Sequence, residues 1–151
     1  MPWRGPVAGS DYLDDQFPSL GWKIADDLDA LFPWMPCTDE QRRKLVHCYR
    51  IDPDTERRFY RKAQLMGSKG TGKSPEAAKF AIAELERDVE FDGWDAAGEP
   101  VGRPRTKPTP FIQIAAVSLD QTDNTYGALL ELLTEHDGRA ADTLGLDPGD
   151  T

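Results

Sequence analysis

The chain has 151 residues, a net charge of −9 at neutral pH and a pI near 4.7. This length suffices for one domain with a hydrophobic core, and the acidity argues against a protein that coats nucleic acid nonspecifically. The two cysteines and two histidines have no zinc-type spacing, and no apolar run reaches the roughly 18 residues of a membrane helix, so a reduced, cytoplasmic setting is expected.

The N-terminal part predicts an arm followed by two helices. Residues 1–19 carry Pro, Gly and Asp without a sustained period, which is typical of an extended arm. Apolar residues then recur at helical spacing from about Leu20 through Ile24, Leu28 and Phe32. The run Thr38-Asp39-Glu40-Gln41 has the spacing of a capping box and predicts the start of the second helix.

Two stretches predict strands. Residues 59–66 alternate between apolar and polar side chains, more than a parallel strand buried on both faces should. Residues 111–118 are nearly all apolar, as expected for a central parallel strand. Two basic clusters lie ahead of and within the first stretch, and we interpret them as solvated faces. Their members are Arg42, Arg43 and Lys44, and then Arg57, Arg58, Arg61 and Lys62.

Between these strands lies a match to the phosphate-binding pattern G-x-x-x-x-G-K-[ST]. It consists of Gly67, Ser68, Lys69, Gly70, Thr71, Gly72, Lys73 and Ser74. In such a loop the glycines allow backbone N–H groups to converge on one anion, and the following helix adds its positive N-terminus. Lys73 would contact the β- and γ-phosphates, and the Ser74 hydroxyl would bind Mg²⁺. The sequence therefore predicts a nucleotide-phosphate site.

The segments after the loop complete an α/β pattern. A helix is predicted from Pro75 to Leu85, with Ala77, Phe80, Ala81 and Leu85 on one face. Residues 91–110 are rich in Gly, Pro and charge and predict a long irregular segment that contains a short hairpin. A last helix is predicted from Tyr126, Leu129, Leu130 and Leu133, which recur at helical spacing. This order predicts the N-terminal, incomplete part of a three-layer P-loop nucleotide hydrolase-like fold with a parallel sheet.

Beyond the loop, several stretches resemble the N-terminal ATPase part of phage terminase large subunits, the DNA-packaging motors, of the type found in actinobacterial phages and prophages. The resemblance covers nearly the whole chain. It rests on residues 2–6 (PWRGP), 20–22 (LGW), 38–41 (TDEQ), 49–53 (YRIDP), 91–95 (FDGWD), 112–118 (IQIAAVS) and 120–125 (DQTDNT), together with the loop.

The resemblance implies roles and partners that the residue pattern alone does not. It implies that residues 20–151 are a partial ATPase domain, with ATP and Mg²⁺ as ligands, Lys73 as the catalytic residue and no nuclease domain. Gln41 falls where these motors contact adenine, although it is equally a capping residue, and Lys69 falls where a γ-phosphate sensor is often found. The implied partners are double-stranded DNA, a small terminase subunit, the portal protein and further large-subunit copies at the procapsid.

Departures from that family leave other functions open. No apolar strand ends in Asp-Glu, so the acidic motif that activates water is missing, and we expect nucleotide binding with little turnover. Asp120 follows an apolar run and offers a small P-loop kinase as one alternative, with Arg103 and Arg105 as lid residues. A non-catalytic prophage remnant or partner-binding fragment is the other alternative, favoured by the acidic composition and the excursion around Trp94.

Overall fold

The computed structural model describes residues 17–66, 73–106 and 111–115, and also residues 119–147, of which 119–123 are described by backbone only. Within these ranges it contains four helices and two small sheets. The elements are α1 (Gly21–Leu31), α2 (Asp39–Cys48), β1 (Ile51–Asp52), β2 (Arg57–Arg58), α3 (Lys73–Glu86), β3 (Glu90–Trp94), β4 (Pro100–Arg103) and α4 (Leu119–Leu144).

The first two helices form as the sequence predicts. The apolar stripe of α1 is buried at Ile24, Leu28 and Leu31. At the start of α2 both bonds of the capping box are present: the Gln41 N–H donates to Thr38 Oγ1 over 3.2 Å, and the Thr38 N–H donates to Gln41 Oε1 over 3.1 Å. The box satisfies two N–H groups that a helix start leaves unpaired, which is why the helix begins there.

Both sheets are antiparallel hairpins. β1 pairs with β2, and β3 pairs with β4 across a turn at residues 95–99, with an irregular register between Phe91 and Trp94. The second hairpin confirms the short hairpin expected within residues 91–110. No parallel pairing occurs in the described ranges, so the three-layer parallel fold stays a prediction.

In the part of the chain that the structure describes, neither predicted core strand is observed. Residues 59–66 form no strand, and Phe59, Tyr60 and Met66 are 47%, 43% and 78% exposed. Residues 111–115 form no strand either, Phe111 is 83% exposed, and residues 116–118 lie outside the described part. An apolar strand is buried only when neighbouring strands or helices cover its faces, and the described residues supply no such neighbour here.

α3 and α4 pack against each other, but their buried faces differ from the predicted ones. In α3 the buried apolar residues are Ala78, Ile82 and Ala83, whereas Ala77 and Leu85 are only half-buried. In α4, Leu133 is buried as expected, and so are Leu132, Ala140 and Ala141, but Tyr126 is exposed. The helix surface offers more than one apolar stripe, and packing selects among them.

A single hydrophobic core joins all four helices. It contains buried side chains from each of the helices α1, α2, α3 and α4. Tyr49, Ile51 and Val89, which lie in or beside the segments that connect the helices, complete it. α4 is interrupted at residues 135–138, where His136, Asp137 and Gly138 have positive φ angles. His136 lies with its ring centroid 4.2 Å from that of Trp34, so the interruption directs a side chain back onto the loop after α1.

Candidate functional site

The predicted phosphate loop ends where α3 begins. Lys73 and Ser74 are the first two residues of this 14-residue helix, and both are half-buried. Gly67, Ser68, Lys69, Gly70, Thr71 and Gly72 lie outside the described residues. A helix start provides unpaired N–H groups and a positive partial charge, and Lys73 and Ser74 supply the ammonium and hydroxyl that suit a phosphate with its Mg²⁺. The residues present therefore fit the group that the sequence implies.

Gln41 is placed beside α3. It lines a small pocket between the N-terminal turns of α2 and α3, together with Cys37, Leu45, Glu76, Lys79 and Phe80. Since Glu76 and Phe80 follow Lys73 at helical spacing, this pocket lies on the side of α3 that carries Lys73. The capping role of Gln41 is confirmed by its two hydrogen bonds with Thr38. Its contact with adenine stays a prediction.

Glu76 and Lys79 are buried charges in this pocket that the sequence did not single out. Both residues are only 3% exposed. Glu76 Oε2 accepts a hydrogen bond from Lys44 Nζ at 3.1 Å, and Lys79 Nζ donates to the Met35 carbonyl at 2.6 Å. Burial lowers the pKa of Lys44, but its bonds to Glu76 and Glu40 outweigh this and raise it. The available sequence signal was the helical spacing of Glu76 and Lys79 with the apolar residues Ile82 and Ala83, which predicts that all four lie on one side of α3.

The second oxygen of Glu76 has no hydrogen-bond partner among the described residues. Its carboxylate side chain is 4% exposed, and Oε1 is buried without any hydrogen bond among the described residues. A buried carboxylate oxygen without a donor costs free energy, because it has lost its water and gained nothing in exchange. This oxygen is therefore a candidate acceptor for a ligand.

A second polar cluster surrounds Glu84, two turns further toward the C-terminal end of α3. Glu84 accepts hydrogen bonds from the Tyr49 hydroxyl at 2.7 Å, from Arg58 at 3.1 Å and from Arg105 at 2.8 Å. Burial favours a higher pKa for Glu84, but these three partners outweigh it and lower the pKa. Burial and the neighbouring Glu84 charge raise the pKa of Tyr49. The cluster ties α3 to the hairpins rather than forming an open catalytic pair.

Arg105 also contacts Glu90 at 3.2 Å, while Arg103 reaches the same carboxylate at 3.6 Å. A kinase lid needs an arginine that moves onto the transferred phosphate. The ion pairs of Arg105 with Glu84 and Glu90 engage it in the fold instead. Asp120, the metal ligand of the kinase alternative, belongs to α4 by its backbone, and its side chain lies outside the described part.

An arginine-lined groove runs between the two hairpins, and we refer to it as the arginine groove. Five arginines and two glutamates line it, an excess of three positive charges. The lining residues are Glu56, Arg57, Arg58, Arg61, Val89, Glu90, Phe91, Arg103 and Arg105. Arg57 and Arg61 are exposed and make no ion pair with the described residues. In a chain of net charge −9, this is a local concentration of positive charge.

The first basic cluster behaves differently from the expected solvated face. The Arg42 side chain is only 13% exposed, and its guanidinium bridges Asp26 and Asp29 of α1, the latter at 2.6 Å. Arg42 therefore holds α2 against α1.

Among the described residues there is no group of three or more His, Cys, Asp or Glu side chains able to hold a metal. The helices that the structure describes include none long and apolar enough to cross a membrane.

Two mycobacteriophage proteins, both named Gene 13 protein, are similar to this chain. The one from Mycobacterium phage L5 is 44% identical over 59% of the chain, which is 14% of the relative. The one from Mycobacterium phage D29 is 40% identical over 82% of the chain, which is 25% of the relative. No family model matches the chain, and no solved structure matches it.

These comparisons change the interpretation of the sequence in one respect and support it in another. The relatives are phage proteins, in agreement with the expected phage origin. Neither relative carries a terminase name, so the assignment to the terminase large subunits is contradicted and is set aside. The chain spans a quarter or less of the length of these relatives.

Proposed function

We propose that this chain is a nucleotide-binding segment of a longer phage protein, and that residues 67–74 bind the phosphates of ATP together with Mg²⁺. One observation carries the proposal: the last two residues of the phosphate-binding pattern lie at the N-terminal end of the 14-residue helix α3. A phosphate loop places its lysine and hydroxyl residue at the start of the following helix, where the N–H groups and the helix dipole face the anion.

In this proposal each part of the site has a separate role. Lys73 neutralises phosphate charge, the N-terminus of α3 contributes its dipole, and the Ser74 hydroxyl contributes one Mg²⁺ ligand. Stabilising charge on the transferred phosphoryl group is the chemistry such a site supplies. Because no strand in the sequence ends in Asp-Glu, we expect binding with little turnover by this chain.

The test is a thermal melt of the purified chain with and without Mg²⁺-ATP. A ligand that binds only the folded state adds about 2.7 kcal/mol at a hundredfold excess over its Kd, which corresponds to a Tm increase of roughly 5–10 °C. We expect this increase for the wild type and for Lys62→Ala, an exposed lysine upstream of the loop, but not for Lys73→Ala. Absence of a shift, or an equal shift in Lys73→Ala, would overturn the proposal.

A second proposal concerns double-stranded DNA as a partner, and the arginine groove supports it. Arginines contact phosphates with several N–H donors at once, and Arg57 and Arg61 retain these donors. Exposed Phe59 and Tyr60 lie between them in the sequence and add area to the contact.

The test is the salt dependence of binding to a labelled DNA duplex. The slope of log K against log salt measures the number of phosphate contacts, with a change of about 1 for each contact. We expect the double variant Arg57→Ala, Arg61→Ala to reduce the slope by about 2. Arg43→Ala, an exposed arginine outside the groove, serves as the control. Equal slopes for all variants would contradict this role.

A further inference from the structure

Two aromatic side chains are exposed in the segment that forms one wall of the arginine groove. Phe59 and Tyr60 are 47% and 43% exposed, and their rings meet edge to face with centroids 4.9 Å apart. In the sequence they lie between Arg58 and Arg61, which both line the groove. Single exposed apolar residues are common on protein surfaces, whereas adjoining ones rimmed by charge mark interaction sites. The pair therefore indicates that the bound partner offers more than phosphates.

The ring of Phe59 is held in place by the protein itself. The guanidinium carbon of Arg50 lies 4.0 Å from the centroid of the Phe59 ring and 4.5 Å from the centroid of the Phe17 ring. The Phe59 N–H also donates a hydrogen bond to the Arg50 carbonyl over 2.8 Å. Cation–π contacts of this kind fix a ring against the fold. A surface ring that is already ordered loses little entropy when a ligand packs on it.

Arginines and aromatic rings recognise different parts of a nucleic acid. Arginines contact the phosphates of a duplex and of a single strand alike. An exposed ring instead stacks on the flat face of a base, and in a duplex these faces are covered by the neighbouring base pairs. The groove has a volume of about 330 Å³, which suits a segment of one strand and not a whole duplex. The groove and the rings together therefore fit an unpaired strand better than a duplex.

We propose that the arginine groove binds single-stranded DNA, with phosphates on Arg57 and Arg61 and bases stacked on the rings of Phe59 and Tyr60. This inference rests on the proposed DNA contact and names the form of DNA that the surface prefers. Because every base has a stacking face, we expect little preference for sequence. Tyr60 is the residue to test, since removal of Phe59 would also disturb its contact with Arg50.

The experiment measures Kd by fluorescence anisotropy on the full chain at one physiological salt concentration, with three labelled probes of equal length. The probes are single-stranded oligothymidylate, its duplex with oligoadenylate, and an abasic strand that carries the phosphates without the bases. Loss of one base–ring contact weakens binding by about fivefold or more. We therefore expect oligothymidylate to bind more tightly than either other probe, by about fivefold or more.

Three variants assign this preference to a residue. Tyr60→Ala should weaken the binding of oligothymidylate by about fivefold or more and leave the binding of the abasic strand within about twofold of the wild type. Tyr60→Phe keeps the ring and should bind all three probes as the wild type does. Tyr126→Ala serves as the control, because Tyr126 is 40% exposed but belongs to α4 and not to the segment that carries Arg57 and Arg61.

The results separate this inference from the DNA contact beneath it. Binding of the duplex or the abasic strand as tightly as oligothymidylate would overturn the preference for an unpaired strand and leave the phosphate contacts standing. Equal weakening of all three probes by Tyr60→Ala, or no weakening of oligothymidylate, would overturn stacking on Tyr60. Failure of every probe to bind would overturn the DNA contact and the inference together.

Discussion

Replacing Gly21 by alanine should destabilise the protein strongly, although alanine is normally the better helix residue. A Cβ atom at this first position of α1 would lie 2.4 Å from the Leu45 carbonyl oxygen and 2.5 Å from the Val46 Cα. Both atoms belong to the backbone of α2, so no side-chain rotation relieves the contact. An ordinary contact begins near 3.4 Å, and the two helices would therefore have to separate by about 1 Å.

The hydrogen bonds at this crossing make the separation costly. Ser19 Oγ donates to the Val46 carbonyl at 2.6 Å and accepts from the Gly21 N–H at 3.0 Å. A separation of about 1 Å would break the first of these bonds, at about 0.5–1.5 kcal/mol, in addition to about 1–3 kcal/mol for overpacking. Alanine regains about 0.5–1 kcal/mol of helix preference. The net loss is about 2 kcal/mol at the centre of these ranges, a decrease in Tm of roughly 4–8 °C.

The chain offers a matched control for this substitution. Gly127 lies in α4, and a Cβ added there meets no atom within 4 Å. Gly127→Ala should therefore stabilise the protein by about 0.5–1 kcal/mol, the opposite sign. Urea denaturation of the wild type and the two variants measures both effects. A Gly21→Ala protein at least as stable as the wild type would refute the close approach of α1 and α2.

Three further predictions concern the cap, the Glu84 cluster and the thiols. Thr38→Ala should lower the free energy of unfolding by about 1 kcal/mol, measured by urea denaturation, because it removes one side of the capping box. Since the folded-state pKa of Glu84 is depressed below its ordinary 4.5, its contribution to stability is present above that pH and is lost as the pH falls further. The wild type should therefore lose more stability than Glu84→Gln when the pH falls from about 6 to about 3, the range in which carboxylates titrate. Equal losses would contradict the depressed pKa. Burial raises the pKa of the Cys37 thiol to about 11 and also raises that of Cys48, so a thiol reagent at about pH 8 should react much more slowly with folded than with urea-unfolded protein.

The candidate site was predicted in part. The pattern from Gly67 to Ser74 and the spacing of Thr38 and Gln41 are local. They predict helices close to the observed ones: α2 begins at Asp39, after the cap, and α3 covers the predicted range from Pro75 to Leu85. Glu76 was missed because its significance depends on burial beside Lys44, 32 residues away in the sequence. A glutamate in the first turn of a helix otherwise reads as a solvated partner of the helix dipole.

The arginine groove shows the same division. Arg57, Arg58 and Arg61 are neighbours in the sequence, and their clustering was visible there. Arg103 and Arg105 join them only through the second hairpin. Arg42, by contrast, was expected on a solvated face and instead bridges Asp26 and Asp29, since α1 and α2 bring these charges together.

The sequence by itself determined the features that depend on a few consecutive residues: the helices α1 to α3, the capping box, the second hairpin and the residue types of the phosphate loop. Each of these is set by periodicity, capping or turn chemistry, which act over one or two turns of chain. Only the tertiary structure decided which apolar stretches are buried, because burial requires a partner surface. Residues 59–66 and 111–115 have the composition of strands but remain exposed at Met66 and Phe111, whereas the charged Glu76 and Lys79 are buried where α3 meets the chain around α2.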